Sequence, residues 1–351
     1  MEKIKVCIIF GGKSSEYAIS LRSVTSVLQN INTEKYDIST LGIMKNGACF
    51  MYNGPVSDII NDEWTKSPSL RPCAISTTSG EGIRFLDDNS VYTPDCFYPV
   101  MHGENCEDGI LQGALTLTGI PFVGSKTLAS AVAMNKAFTN MMADKIGIKQ
   151  ANWYSFNAYD YKNSPEKIIA NIEHEFLYPV FVKPASTGSS VGISKARTKE
   201  ELIAAIDLAS KYDETVLIEE NIDGVEIEVA ILGNRAPHAS VCGEIIPHAD
   251  FYDYDTKYVT DTAEFFIPAR ISDEVSEQIR DSAIKLYCHL GCRGLSRVDF
   301  ILSSKSGIPH FNEINTLPGF TSISMYPKLF EASGIPYSTL IDKLITLSME
   351  E

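Results

Sequence analysis

Long apolar runs are missing from this chain: nothing in its 351 residues approaches the roughly 20 needed to span a membrane as a helix. Its eight cysteines (Cys7, Cys49, Cys73, Cys96, Cys106, Cys242, Cys288, Cys292) contain no CxxC pair. They read as reduced thiols, not as a disulfide framework or a zinc ribbon. Cys288 and Cys292 share a helical face, but no further Cys or His pair completes a site. None of the six histidines falls in an HExxH spacing. Positive charge is also scarce, with 30 basic against 45 acidic residues and a net charge of −15. That balance argues against a nucleic-acid partner. An anionic ligand would depend on local cations, metal ions and backbone N–H groups. The apolar run at 4–10 is too short for a signal-peptide core and lacks a cleavage region. A cytoplasmic protein with no membrane partner is expected.

The 44% hydrophobic and 21% charged residues fit a packed globular chain. Its length suggests two or three domains. Residues 4–10 read as a buried strand, Gly11-Gly12 as a turn, and Leu21, Val24, Leu28 and Ile31 as one face of a helix. Strand, glycine turn and helix open a doubly wound α/β domain, with further strands at 36–43 and 96–101, a helix at 109–118 and an end near Gly124. A helix over 130–146 follows. Strands are then expected at 181–184 and 191–195, a helix at 199–210, and strands at 216–219 and 226–232. Residues 251–266, rich in Tyr and Asp, read as a long loop. A helix at 272–290 precedes paired strands at 297–302 and 310–315, an irregular stretch at 316–327 and a last helix at 338–348. With no repeat or long linker, ligands are expected in the clefts between units.

Four patterns carry chemistry. Arg297-Val-Asp299 and Glu313-Ile-Asn315 each place two polar side chains on one strand face, because side chains two apart point the same way. Asp, Glu and Asn form a hard, all-oxygen set suited to Mg²⁺ bridging phosphates, and Arg could stabilise a transferring phosphoryl group; ordinary strand-end polar residues are the alternative. Lys183 precedes a small-residue turn, 184–192, whose N–H groups and hydroxyls could receive phosphate, although a plain surface turn fits as well. Gly188-Ser-Ser190-Val-Gly192 also matches the G-x-S-x-G of a serine hydrolase. A nucleophile elbow needs a helix directly after it, whereas here a strand is expected to continue and the helix begins only around Lys199. Gly11–Glu16 could bind an anion or an ammonium group, or simply cap a helix, and it lacks the spacing of a dinucleotide site. His102, at the carboxyl end of a buried strand, is placed for a ligand or for a structural role.

Taken in order, GGKSSE (11–16), HGENCEDGILQG (102–113), GIPFVGS (119–125), KPASTGSSVGI (183–193), IEENIDGVEIEVAILG (218–233), FYDYDTKY (251–258), SRVDF (296–300) and NEINTLPGFTSISMYP (312–327) resemble the D-alanine–D-alanine ligases of the ATP-grasp superfamily. The resemblance covers essentially the whole chain. It implies a three-domain ATP-grasp α/β fold with an N-terminal doubly wound parallel-sheet domain at 1–125, a central domain at 126–215 and a C-terminal one at 216–351. Its implied activity is ATP-dependent ligation of two D-alanines through an acyl phosphate, for peptidoglycan precursors, by a homodimer. Lys136 and Lys183 would contact the nucleotide phosphates, Glu219 and Glu226 the adenine side and the ribose, and Ser190 the loop over the phosphates. Lys257 would belong to a mobile loop, with Tyr258 linked to Ser189 and Glu16. Asp299, Glu313 and Asn315 would ligate two Mg²⁺ ions, for which Mn²⁺ would be a substitute. Arg297, Gly319 and Ser324 would hold the reacting carboxylate, the oxyanion and the second substrate, with His102 and Met325 beside the substrates.

Three positions depart from the family pattern: Ala18 stands where a second acid is usual, Cys106 where glycine is usual before the EDG triplet, and Asn135 where Asp is common. The loss of a carboxylate at Ala18 is expected to bear on the first-substrate site. Related ligases take D-serine or D-lactate as the second substrate. Met325 after Ser324, where the D-serine class usually has Arg, and the intact Tyr254-x-x-Lys257-Tyr258 pattern both favour D-alanine. A degenerate relative that binds nucleotide without catalysis is the alternative from another class.

Overall fold

The computed structural model describes residues 2–246 and 264–350. Its first sheet comprises β1 (Ile4–Gly11), β2 (Tyr36–Ile43), β3 (Cys49–Tyr52), β4 (Arg71–Ile75), β5 (Ile83–Phe85), β6 (Val91–Tyr92) and β7 (Cys96–Val100), in the order β6-β5-β4-β3-β2-β1-β7. Only β2-β1-β7 is parallel, and β3 to β6 extend it as an antiparallel ribbon. The reason β1 is central is legible in its sequence, since residues 6–10 are apolar on both faces and fully buried. Because β1 and β7 run side by side in one direction, their carboxyl ends deliver Gly11-Gly12 and His102-Gly103 to the same rim.

Helix α1 (Tyr17–Asn30) packs onto this sheet, and a short α2 (Val56–Ile60) lies against it. Its buried face carries Ser20 and Ser23 among the apolar residues. Ser20 spans the two strand ends: its hydroxyl accepts from the Gly11 N–H (2.8 Å) and donates to the Val100 carbonyl (2.5 Å). After α3 (Ile110–Thr118) the chain forms α4 (Thr127–Met134) and α5 (Lys136–Lys145). The single helix expected over 130–146 is thus two. Asn135 leaves the helical conformation, and its side chain accepts from Phe138 N, capping α5.

A four-stranded antiparallel sheet, ordered β10-β9-β11-β8, follows from β8 (Trp153–Asn157), β9 (Val180–Pro184), β10 (Ser194–Ala196) and β11 (Thr215–Glu220). Helices α6 (Ala158–Asn163), α7 (Pro165–Glu175) and α8 (Lys199–Ala209) bury its apolar side. The strand expected to start at Val191 starts at Ser194. Residues 188–193 are tied into turns by Val191 N–H to Gly188 O and Ile193 N–H to Ser190 O, and Ser189 and Ser190 take positive φ (49° and 59°).

The last sheet is antiparallel, ordered β14-β13-β12-β15-β16: β12 (Gly224–Leu232), β13 (His238–Ile246), β14 (Glu264–Phe266), β15 (Leu295–Ser303) and β16 (Pro309–Asn315). Of the loop expected at 251–266, the last three residues form β14 and the rest lie outside the described residues. Helix α9 (Asp273–Leu290) covers one face, sharing its core with residues of α4 and α5. On the other side α10 (Met325–Ala332) and α11 (Tyr337–Ser348) share one apolar core with α1 and β1. The irregular stretch after residue 316 therefore ends at Ser324, not Pro327. Among the described residues no helix is long and apolar enough to cross a membrane.

Candidate active site

The period-two patterns on β15 and β16 converge as their alternation requires. Arg297 pairs with Asn315 and Asp299 with Glu313 across the two strands, and Glu228 faces Asp299 from β12. Arg297 donates to both Asp299 oxygens at 2.7 Å and lies 3.1 Å from Glu228, while Asn315 Nδ2 donates to Asp299 at 3.2 Å. Asp299 and Glu228 are almost wholly buried (0% and 3% exposed). Burial works against the Arg297 charge, but Asp299 and Glu228 outweigh it and hold the guanidinium well above its ordinary range. Carboxylate oxygens of Glu226, Glu228 and Asp299 lie within 4.8 Å of one another. With Glu313 and Asn315 adjoining it, this hard, all-oxygen donor set fits a divalent cation.

Two cationic side chains face this floor. Lys183, on β9, pairs with Glu219 at 2.5 Å and reaches Asn312 at 3.4 Å. Glu219 is in turn held by Asn140 Nδ2 at 3.1 Å. Lys136, the first residue of α5, lies 3.8 Å from Glu313 and donates to the Thr187 carbonyl at 2.7 Å. The start of α5 is bound to the small-residue turn at two further points: Lys136 N–H to Ala185 O (2.8 Å) and Asn135 Nδ2 to Ser186 Oγ (2.9 Å). Asn135 thus caps a helix with its oxygen and holds the turn with its nitrogen, and an Asp there could not donate to Ser186. Lys136, Lys183, Ser190, Glu219, Glu226 and Glu313 line one cavity.

A second, narrower cavity adjoins it, sharing Lys136, Ser189 and Glu313. Here the first sheet contributes Glu16, His102 and Glu107, and the last contributes Arg297, Asn315 and Gly319. Glu16 is buried between two glycines: a Cβ on Gly188 would come within 2.8 Å of its carboxylate oxygen, and one on Gly103 within 3.3 Å. The turn carrying Ser189 therefore meets the opening of α1. Glu107 accepts from Gly103 N–H at 2.8 Å, and burial, reinforced by the Glu16 charge, pushes its carboxyl up to about 8.

His102 uses both ring nitrogens within the protein, with the Leu317 carbonyl 2.9 Å from Nδ1 and the Ser23 hydroxyl 2.9 Å from Nε2. Burial depresses its basicity while Glu16 opposes the change. Ser324 accepts from Thr321 N–H at 3.0 Å and lies 2.8 Å from Thr321 Oγ1, and a Cβ on Gly319 would come within 2.8 Å of its oxygen.

Met325, expected beside the substrate, has its side chain in the core, where a Cβ on Gly243 would strike it. Ala18 is exposed and lines neither cavity. Cys106 is buried with its sulfur over Gly12. Lys257 and Tyr258 lie outside the described residues. Sequence reasoning passed over Ser23, Glu107, Asn140 and Glu228. For Glu228 the signal was present, because Glu226-Ile-Glu228 puts two acids on the strand face that meets Asp299.

Residues 5–125 match the family model described as the D-ala D-ala ligase N-terminus, and residues 142–346 the model described as the D-ala D-ala ligase C-terminus. The chain is 47% identical over 349 residues to D-alanine–D-alanine ligase B of Clostridium tetani (99% of this chain, 94% of the relative). It is 48% identical over 362 residues to the D-alanine–D-alanine ligase of Ruminiclostridium cellulolyticum (100% and 96%). Similar solved structures include the VanG D-Ala:D-Ser ligase from Enterococcus faecalis (TM-score 0.91, 39% identity, 99% and 100% covered) and the D-alanine–D-alanine ligase from Coxiella burnetii (TM-score 0.85, 34% identity, 99% and 95% covered).

Proposed function

The chain belongs to the D-alanine–D-alanine ligase family, and on that premise we propose that it joins two D-alanines, at the expense of ATP, in the paired cavities described above. The observation that carries the reading is their division of labour. One cavity brings two lysines and a carboxylate floor together, as a triphosphate requires, and its neighbour brings Arg297, Gly319 and Glu16 around a space for small zwitterions. Within this reading the units are 1–125, 126–215 and 216–351.

A carboxylate is a poor electrophile, so the first D-alanine is phosphorylated. A bond forms between its carboxylate oxygen and the γ-phosphorus of ATP, the bond to the β-phosphate oxygen breaks, and ADP leaves. Lys136 and Lys183 take the phosphates, exchanging Glu313 and Glu219 for them, while Glu219 and Glu226 turn to the adenine side and ribose and Ser190 covers the phosphates. Asp299, Glu313 and Asn315 would hold Mg²⁺, which when bound neutralises phosphate charge. Glu16, with the turn that carries Ser189 packed near it, holds the ammonium of the first D-alanine. The ammonium of the second gives one proton to water, its amine attacks the acyl carbon, Arg297 and the Gly319 N–H stabilise the oxyanion, and phosphate leaves as the acyl C–O bond breaks, taking up the second proton from nitrogen. Ser324 and His102 shape the second-substrate end.

The same reading makes the protein a cytoplasmic homodimer that supplies peptidoglycan precursors. Ile110 and Leu117 on α3, Leu128 on α4 and Phe138 and Met141 on α5 stand exposed on consecutive helices and offer apolar surface for a second copy. A D-alanine–D-serine activity is the second reading, favoured by the likeness to VanG. Met325 in place of the arginine usual in that class weighs against it.

The test is ADP release with ATP and Mg²⁺, products being identified by mass. D-alanine alone should give rapid release and D-alanyl-D-alanine. Slow release that rises with added D-serine, with a mixed dipeptide formed, selects the second reading, and no release with either overturns both.

A further inference from the structure

We propose that Ser23 is a positioning residue for the ligation: its hydroxyl fixes the His102 ring and the segment 317–320 so that the Gly319 N–H is aimed into the substrate cavity. The proposal rests on the function given above but on different observations.

Ser23 lies on the buried face of α1, with no exposed surface. Its oxygen is 2.9 Å from His102 Nε2 and accepts the Phe320 N–H at 3.2 Å, a contact across 297 positions of sequence. The directions of these bonds follow from what each group can do. The Leu317 carbonyl can only accept, so His102 Nδ1, 2.9 Å away, must carry the hydrogen. In the neutral ring Nε2 is then an acceptor, and the Ser23 hydroxyl must donate to it. Ser23 has one proton, now used, so it meets the Phe320 N–H with a lone pair. A hydroxyl fills both roles at once, whereas a methyl fills neither.

The consequence falls on one peptide group. The Gly319 N–H belongs to the Pro318–Gly319 peptide. On one side the Leu317–Pro318 peptide is held through its carbonyl by His102. On the other the Gly319–Phe320 peptide is held through its N–H by Ser23, and the next carbonyl, Phe320 O, accepts from Tyr337 Oη at 2.6 Å. With both neighbours fixed, the middle peptide has little freedom to turn. No hydrogen bond among the described residues uses the Gly319 N–H itself, which leaves that donor for a substrate oxygen. An oxyanion donor gains its effect from being aimed before the charge develops, and Ser23 supplies that aim without touching substrate.

The full chain, its Ser23→Ala variant and its Ser23→Cys variant should be assayed with ATP and D-alanine, and the wild-type histidine tautomers read from ¹⁵N-labelled protein, with His102 assigned by its loss in His102→Gln. Ser23→Ala should lower kcat about 10- to 100-fold and leave the KM for ATP within about twofold. Ser23→Cys keeps the shape but offers a poor donor, so it should stay slow as well. His102 should carry its proton on Nδ1. A wild-type His102 protonated on Nε2, or either folded variant within twofold of wild-type kcat, overturns the proposal. Should Ser23→Ala fail to fold, Ser23→Cys and the tautomer decide it. A wild type that releases no ADP with D-alanine instead overturns the functional reading, and does so before any variant is needed.

Discussion

Two irregular segments border the same cavity and are held in different ways. Residues 185–188 are tied at their base to groups on neighbouring elements: Ala185 N–H to Thr215 O, Ser186 N–H to the Asp213 carboxylate, and the Thr187 carbonyl to Lys136. Their continuation, 188–193, folds back on itself through two turns and two left-handed serines. Residues 317–324 are instead held along their length by the side chains of Ser23, His102 and Tyr337, and closed internally by Ser324 on Thr321. The first construction leaves a run of small residues that can settle around a phosphate. The second fixes peptide orientation, which matters where charge develops on a single oxygen. On the proposed function the first would meet a flexible triphosphate, whose affinity tolerates adjustment, and the second would supply an oxyanion donor, whose aim does not.

Both segments contain a glycine whose Cβ would lie 2.8 Å from a polar oxygen of the site, Gly319 against Ser324 Oγ and Gly188 against Glu16 Oε1. The outcomes should differ. Ser324 Oγ sits on a short side chain already bonded to Thr321, so Gly319→Ala must shift the loop backbone. A displacement of the order of 1 Å there should lower kcat by about 10²-fold. Glu16 ends a flexible side chain and can swing aside, so Gly188→Ala should spare kcat and raise the KM for D-alanine by about tenfold, as expected for a weakened charge-assisted contact. Steady-state kinetics of the pair checks this. Equal losses in kcat would mean that the two segments are held alike.

This contrast also explains what the sequence disclosed. Arg297, Asp299, Glu313 and Asn315 were legible because each sits on a strand, where alternation by two fixes which side chains share a face, and Lys183 because it stands directly before a run of small residues. The central β1 was legible because its residues 6–10 are apolar without a break. The break at Asn135 was not, since 130–146 has helical composition on both sides and only the cap and the bond to Ser186 reveal the boundary. Strand β8 and helices α6 and α7 were missed altogether, and the ribbon β3 to β6 alternates too weakly to stand out. Ser23, Asn140 and Glu107 act through partners that local pattern cannot supply. The family resemblance assigned residues to roles, but it could not say that His102 faces inward with both nitrogens used, or that Met325 is core.

Glu107 stands where the two segments meet, near Glu16 on one side and Leu317 on the other. Its carboxyl is pushed from an ordinary 4.5 to about 8, so between those values the folded chain holds a proton that the unfolded chain has lost. Stability from this group is therefore full at low pH and declines as pH rises through that window. Glu107→Gln, neutral at every pH, should match the wild type near pH 4.5 and exceed it at pH 9 by about 1 kcal/mol or more. Melting curves at the two pH values decide it, and a difference that does not change with pH counts against a protonated Glu107.

The smallest expected effect tests the base of the first segment. Asn135→Ala removes an N-cap worth about 1 kcal/mol together with the bond to Ser186. Lys136 keeps its own hold on Ala185 and Thr187 through its N–H and its ammonium, so the turn should loosen without leaving its place. The variant should lose about 1 kcal/mol of stability and bind ATP only a few-fold more weakly, with kcat for the ligation nearly unchanged, because no anchor of 317–324 is touched. Asn135→Asp separates the two contributions. It restores the cap, but a carboxylate cannot donate, so the contact to Ser186 survives only if the Ser186 hydroxyl rotates and donates to the carboxylate. Stability should therefore return with Asp, and ATP affinity with it if that rotation suffices. A fall in kcat for Asn135→Ala comparable to that of Gly319→Ala would show that the phosphate-side turn also sets the oxyanion geometry, and the distinction between the two segments would not stand.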